Sequence, residues 1–156
     1  MQERLPESVS EILCRDLQAV AASVEATPEE HLWMVPPGVT NSIGTLAFHV
    51  CGNLRHFVGA TLGGDGYVRD RESEFRSHAV SRSDLMSELA ATEVAVRAAL
   101  NQVSAEALAS PMPGAPARHE GRSVGFFLIQ LCCHLSWHRG QLDYLQRVLR
   151  GAARPD

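Results

Sequence analysis

The sequence has no excess of positive charge, no long hydrophobic run and no N-terminal pattern typical of a secretory signal, and each of these features argues against a class of protein. Eighteen acidic residues outnumber 14 basic ones, so the sequence predicts no attraction to nucleic acid or to an anionic membrane. The most apolar stretch, residues 124–137, is interrupted by Gln130, His134 and Ser136, which favours a buried helix over a membrane span. The N-terminus lacks a basic segment followed by an apolar one, so we predict a cytoplasmic protein.

Paired-cysteine motifs are also lacking. The four cysteines form no C-x-x-C pair, and each lies within a segment of helical periodicity: Cys14, Cys51, Cys132 and Cys133. In a cytoplasmic protein this pattern favours reduced thiols in the core, with a disulfide between distant segments as the alternative.

What is present is the composition of a folded domain. The chain has 156 residues, of which 45% are hydrophobic and 21% charged. This length allows one hydrophobic core, so we predict a single domain over residues 1–156. Apolar residues recur at three- and four-residue spacing, and strict alternation of apolar and polar residues is absent, which predicts an all-α fold.

Four long helices are predicted, and four such helices in a domain of this size indicate a four-helix bundle. Capping residues, proline and glycine set their expected limits: Pro6 to Thr27, residues 40–42 to Gly63, Ser81 to Val103, and Ser123 to about Arg150. A short helical turn is expected after Thr27. The charged stretch 63–78 is expected to be a solvated loop folded against the bundle.

Two histidines of the last helix carry the strongest chemical signal. His134 and His138 are four residues apart, so both lie on the same side of that helix, and Gln141 follows on the same flank. His138 falls within the leucine-rich arc that faces the core. Such a pair can hold a metal ion, although buried imidazoles that only form hydrogen bonds produce the same pattern.

The second helix offers a third ligand. His49 lies beside its apolar face, with Asn53 one turn later and His56 two turns later. Three neutral imidazoles from two helices would leave one coordination position open, as catalytic metal sites do. Asn53 and Gln141 would orient ligands or substrate, or else form hydrogen bonds within the bundle. His56 would assist as a base, or be half-exposed and inert.

The remaining histidines and two arginines have simpler interpretations. His31, His78 and His119 fall in predicted connectors, so we expect them to be solvated. Arg55 and Arg139 would attract an anionic thiol cofactor, or form surface salt bridges, which is the commoner use of arginine.

Three segments resemble the DinB-like superfamily, also called YfiT-like: TNSIGTLAFHVCGNLRHF over residues 40–57, DRESEF over 70–75, and HLSWHRGQLDYLQRVL over 134–149. The resemblance covers nearly the whole chain. It implies a bundle of the DinB type, a nickel or zinc site with His49, His134 and His138 as ligands, and a homodimer. Characterised members of the superfamily include transferases and isomerases that use low-molecular-weight thiols.

These observations predict a metal-dependent enzyme for a small-molecule substrate, either a thiol-dependent transferase or a hydrolase. The chain has no H-E-x-x-H motif and therefore no glutamate general base of that kind. Hydrolysis would depend on the water held by the metal or on a group such as His56. The alternatives are a non-catalytic metal-binding protein and a purely structural dimer.

Overall fold

The chain folds entirely into helices and connecting loops over the part that the computed structural model describes, residues 4–76 and 80–151. Its α-helices in this part are α1 (Leu5–Ala26), α2 (Glu29–Leu32), α3 (Ile43–Leu54), α4 (Arg71–Arg76), α5 (Arg82–Leu100), α6 (Ala105–Ala109) and α7 (Val124–Leu149). A π-helical turn, Arg55–Ala60, continues α3, and a 3₁₀ turn, Ala117–His119, precedes α7. The prediction of an all-α fold is confirmed.

Serine side chains determine where three of the long helices begin. Ser42, Ser81 and Ser123 each precede a helix, and each hydroxyl accepts a hydrogen bond from the backbone N–H three residues later. This bond satisfies a donor that has no partner within the helix itself, which is why serine is favoured there. The predicted starts at Ser81 and Ser123 are confirmed, and of the three candidates at residues 40–42 the structure selects Ser42.

One hydrophobic core joins the four long helices. Helix α1 packs against α5 and α7, and α3 packs against the same two helices. The predicted core face of α7 is buried at six positions, Val124, Leu128, Leu131, Leu135, Leu142 and Leu145, while Leu149 is half-buried. The structure thus shows an all-helical domain whose long helices pack around a common core. The DinB-type arrangement of the bundle stays a prediction.

The stretch 63–78 differs most from expectation. The interpretation as a solvated loop is wrong for its second half, because α4 forms there and Glu74 is buried. His78, which we expected to be solvated, lies outside the described residues. Within the described part of the chain, no helix is both long and apolar enough to cross a membrane.

The cysteine prediction holds for half of the set. Cys14 and Cys51 are buried and all four thiols are free, but Cys132 is half-buried and Cys133 is exposed. Cys133 lies on the outer side of α7 between the buried Leu131 and Leu135. The helical rotation of about 100° per residue carries it away from the core.

Candidate metal centre

Helices α3 and α7 bring three imidazoles together. One nitrogen from each of His49, His134 and His138 lies within 4.8 Å of the others. The Nε2 atoms of His134 and His138 are 3.1 Å apart, close to the separation of about 3.3 Å that two nitrogens have around a tetrahedral zinc ion. The three rings cross at steep angles of 72°, 78° and 85°. Their arrangement could therefore hold a metal ion.

A buried carboxylate orients the first of these imidazoles. The Nδ1 atom of His49 lies 2.8 Å from Oε2 of Glu74. Because a carboxylate accepts, Nδ1 carries the proton and Nε2 is left with a lone pair for a metal. Arg69 donates to both oxygens of Glu74, from Nε at 2.6 Å and from a terminal nitrogen at 2.8 Å. The result is a chain of contacts from Arg69 through Glu74 to His49.

Space for that carboxylate exists only because Gly52 has no side chain. A Cβ atom added at Gly52 would lie 2.1 Å from Oε1 of Glu74 and 2.8 Å from its Cδ. Both are too short for non-bonded atoms. Gly52 follows His49 by three residues on α3, so the same helix that carries the imidazole also leaves room for the group that orients it.

A hydrogen bond to Gln141 orients the imidazole of His138 through the ring nitrogen that faces away from His134. Its Nδ1 lies 2.7 Å from Oε1 of Gln141. The amide oxygen accepts, so Nδ1–H donates and Nε2 faces His134 with its lone pair. Gln141 thus contacts a candidate ligand directly, as the sequence prediction allowed. Trp137 stacks on the same ring at a centroid distance of 6.4 Å.

The local environment keeps the imidazoles of His134 and His138 neutral. Burial, together with the neighbouring His138 and His49, lowers the pKa of His134 to about 3. Burial also lowers the pKa of His138, although the hydrogen bond to Gln141 opposes it. Burial alone would raise the pKa of Glu74, but the hydrogen bonds from His49 and Arg69 outweigh it and hold that pKa below its usual value. Neutral nitrogen donors beside a fixed anion fit a divalent cation.

Asn53 and His56, the other predicted site residues, occupy the next turns after His49. Asn53 is buried, and its Oδ1 atom has no hydrogen-bond partner among the described residues. His56 lies in the π-helical turn, is half-buried, and contacts the ring of Phe57. Burial and the nearby Arg69 lower the pKa of His56. His56 is not part of the described group whose ligand atoms converge.

The two arginines considered for a thiol cofactor form ion pairs. Arg55 lies 3.1 Å from Glu88, and Arg139 lies 2.9 Å from the buried Asp16. Both arginines therefore form salt bridges, the alternative to binding a thiol cofactor, but neither pair lies fully on the surface as we expected, since Asp16 is buried and Arg55 and Glu88 are about one quarter exposed. The expectation that the connector histidines are solvated is too simple, since His31 and His119 are half-buried and His119 packs against Phe126 and Phe127.

Sequence reasoning missed Arg69 and Glu74 as part of the centre. Both lie in a run of alternating charges, and Glu72, two residues before Glu74, is exposed. No periodicity over so short a helix distinguishes the buried glutamate from the exposed one. For Glu74 the signal was the DRESEF segment, residues 70–75, within the family resemblance, and Arg69 lies one residue before that segment.

Comparisons with known proteins agree with this helical architecture. Residues 7–154 match the family model described as "Protein of unknown function (DUF1572)". A solved structure, described as the conserved protein of locus from Enterococcus faecalis, superposes with a TM-score of 0.74 at 16% identity, covering 96% of this chain and 99% of that one. No curated protein matches. At that identity the likeness shows the fold alone, and the DinB-like resemblance stays a prediction. The chain belongs to the DUF1572 family of proteins of unknown function.

Proposed function

We propose that this protein is a metal-dependent enzyme whose divalent ion, zinc or nickel, is held by His49, His134 and His138 in a DinB-type four-helix bundle. The observation that carries the proposal is the convergence of the three ligand nitrogens within 4.8 Å. Protein contacts at Nδ1 of His49 and of His138 support it, because each leaves Nε2 available.

The chain's own residues prepare this site for catalysis in three ways. Glu74 and Gln141 hold two imidazoles in the tautomer that a metal requires. Three protein ligands leave a coordination position for water or substrate. Asn53 lies one turn after His49 on the same helix, and its buried Oδ1 has no hydrogen-bond partner among the described residues, so a small displacement would let it accept from a bound donor group. A bound ion would supply Lewis-acid chemistry, lowering the pKa of a water or of a thiol.

Thiol transfer is favoured over hydrolysis. A hydrolase of this kind benefits from a carboxylate base near the water. The buried carboxylate here, Glu74, already accepts from His49 and Arg69 through both oxygens, so it is occupied in positioning. A low-molecular-weight thiol brings its own nucleophile, which becomes a thiolate near neutral pH when its pKa is lowered. The substrate is then a small electrophilic molecule.

Metal analysis followed by activity screening tests the proposal. The protein, purified without a chelator or an affinity tag and offered zinc or nickel, should bind about one ion per chain. Turnover of small electrophiles with a low-molecular-weight thiol supports the enzyme, whereas metal binding without turnover of any electrophile favours a non-catalytic metal-binding protein. Absence of stoichiometric metal would leave the histidines as hydrogen-bonding core residues.

We also propose that the protein is a homodimer and acts in the cytoplasm. The dimer is supported by the family resemblance and by large exposed apolar side chains on one side of α7, where Phe126, Ile129 and Trp137 are 40%, 52% and 69% exposed. Apolar side chains grouped on one surface are typical of protein contacts. Sedimentation as a monomer at micromolar concentration would reject the dimer.

A further inference from the structure

A cavity of about 280 Å³ opens between the start of α3 and the end of α7. Its apolar lining includes Val39, Leu46, Leu145 and Val148, and its polar lining includes Thr40 and Gln141. None of its lining side chains carries a charge at neutral pH. A cavity of about 150 Å³ accommodates a benzene ring, so this one has room for a ring with a short substituent.

The cavity adjoins the histidine cluster on both of the helices that form the cluster. Leu46 precedes His49 by three residues on α3, and Gln141 follows His138 by three residues on α7. Three residues of α-helix advance about 4.5 Å. Both helices therefore give the same result: the cavity lies roughly one helical turn from the level of the imidazoles.

Gln141 connects the two regions. Its Oε1 accepts from Nδ1 of His138, while its side chain also lines the cavity. Among the described residues, the side chain of Gln141 forms a hydrogen bond through Oε1 and none through Nε2. The Nε2 amide group is therefore available to donate to a molecule in the cavity. The wall thus combines apolar side chains with a few polar groups, which is typical of small-molecule sites. Among the polar lining residues Thr40, Asn41, Gln141 and Tyr144, it is Gln141 that also contacts a candidate ligand.

We propose that this cavity is the substrate subsite of the metal centre, and that it takes the uncharged, apolar end of a small molecule carrying a hydrogen-bond acceptor. The inference rests on the proposed function and names its substrate class. An anionic group is disfavoured, because burying a charge without a partner is costly and, among the described residues, no lysine or arginine lines the cavity. The guanidinium of Arg147 lies over the ring of the lining Tyr144, but it is paired with Asp143 at 2.9 Å. The acceptor faces Gln141, and the reactive group extends toward the histidines.

Benzamide and benzoate are suitable probes, since they share a ring and differ in charge. Both are titrated into the full-length, cobalt-loaded protein with labelled valine and leucine methyl groups, followed by NMR. We expect benzamide to shift the methyl resonances of Val39, Leu46 and Val148, and benzoate to bind about tenfold more weakly or worse. Benzamide should also change the visible spectrum of the cobalt ion. Binding in a cavity that is not connected to the metal centre would leave this spectrum unchanged.

Two substitutions reduce the cavity from opposite sides: Val148→Trp on α7 and Thr40→Trp before α3. Each should weaken benzamide binding about tenfold or more, because the indole occupies the space of the ligand. Val94→Trp is the matched control, since Val94 is also an exposed valine on a long helix, 68% exposed against 58% for Val148. It should leave benzamide affinity unchanged. Metal content is measured for every sample.

The outcomes separate the two proposals. If metal binds but benzamide leaves the cavity methyls unshifted, or if benzoate binds as well as benzamide, the subsite is overturned and the metal centre stands. If Val148→Trp changes only the oligomeric state, the cavity is an interface between copies and the subsite is overturned. If benzamide binds in the cavity but no metal binds at the histidines, the proposed function fails and the subsite assignment fails with it.

Discussion

Substituting Gly52 by alanine tests whether Glu74 supports the metal centre. The new Cβ would lie 2.1 Å from Oε1 of Glu74, about 1 Å closer than non-bonded atoms tolerate. The backbone of α3 is held by its own hydrogen bonds, whereas the carboxylate is the end of a flexible side chain. The clash is therefore relieved by displacing Glu74, which breaks its 2.8 Å contact with Nδ1 of His49.

The expected effect on metal affinity is larger than the effect on folding. Losing the carboxylate that orients a metal-binding histidine weakens affinity by roughly 10- to 100-fold. Stability changes less, since alanine favours the helix by about 1 kcal/mol over glycine, while disturbing a buried charged hydrogen bond costs about 1.5–3 kcal/mol. Zinc affinity is measured by competition with a chromophoric chelator, and stability by urea denaturation of the metal-free protein.

Gly140→Ala is the matched control. Gly140 is also a helical glycine close to a candidate ligand, but an added Cβ there meets nothing within 4 Å. This variant should gain up to about 1 kcal/mol of stability from helix propensity and keep the zinc affinity of the original protein. Equal zinc affinity for Gly52→Ala and Gly140→Ala would refute the positioning role of Glu74. Glu74→Ala removes the acceptor of His49 altogether and should reproduce the Gly52→Ala loss if the reasoning holds.

Three further predictions concern the core, the ligands and an internal ion pair. Leu135→Ala should cost about 2–5 kcal/mol in urea denaturation, because Leu135 is only 1% exposed; a loss near zero would mean that its side chain is not close-packed. His138→Ala should abolish stoichiometric metal and the rise in melting temperature that metal produces, whereas His31→Ala should do neither in calorimetry with and without chelator. Burial alone would raise the pKa of Asp16, but the hydrogen bonds that it accepts from Arg15 and Ser136 lower this pKa below the unfolded value. The ionised carboxylate therefore stabilises the folded protein above about pH 4, and this contribution is lost as the pH falls through the folded pKa. Asp16→Asn should accordingly be less stable than the original protein at pH 7, with a difference that shrinks in denaturation below pH 4; a constant difference would contradict this account.

Much of the local structure could be read from the amino-acid sequence because it depends on neighbours along the chain. Helix starts at Ser42, Ser81 and Ser123 follow from hydroxyls that cap the next turn. The leucine face of α7 follows from a period of 3.6 residues. The pair His134 and His138 follows from the same periodicity, since residues four apart lie on one side of a helix.

The partners of those histidines depended on contacts between distant segments. His49 meets His134 across 85 positions of sequence only because α3 packs against α7, and here the family resemblance, rather than spacing, named the set. Six of the eight residues from 69 to 76 are charged, and Glu74 is one of them. We therefore expected Glu74 to be solvated like its neighbours. Its burial is decided by where α4 docks on α3, over the space left by Gly52.

The sequence by itself determined the helical class, the helix starts and the presence of a two-histidine helix face, because capping and periodicity act within a few residues. Tertiary structure alone decided that Arg69 and Glu74 hold His49 and that Gln141 lies between His138 and a cavity. These contacts arise when α3, α4 and α7 pack together. Which side chains then meet is set by the relative positions of whole helices, and local propensity carries no information about those positions.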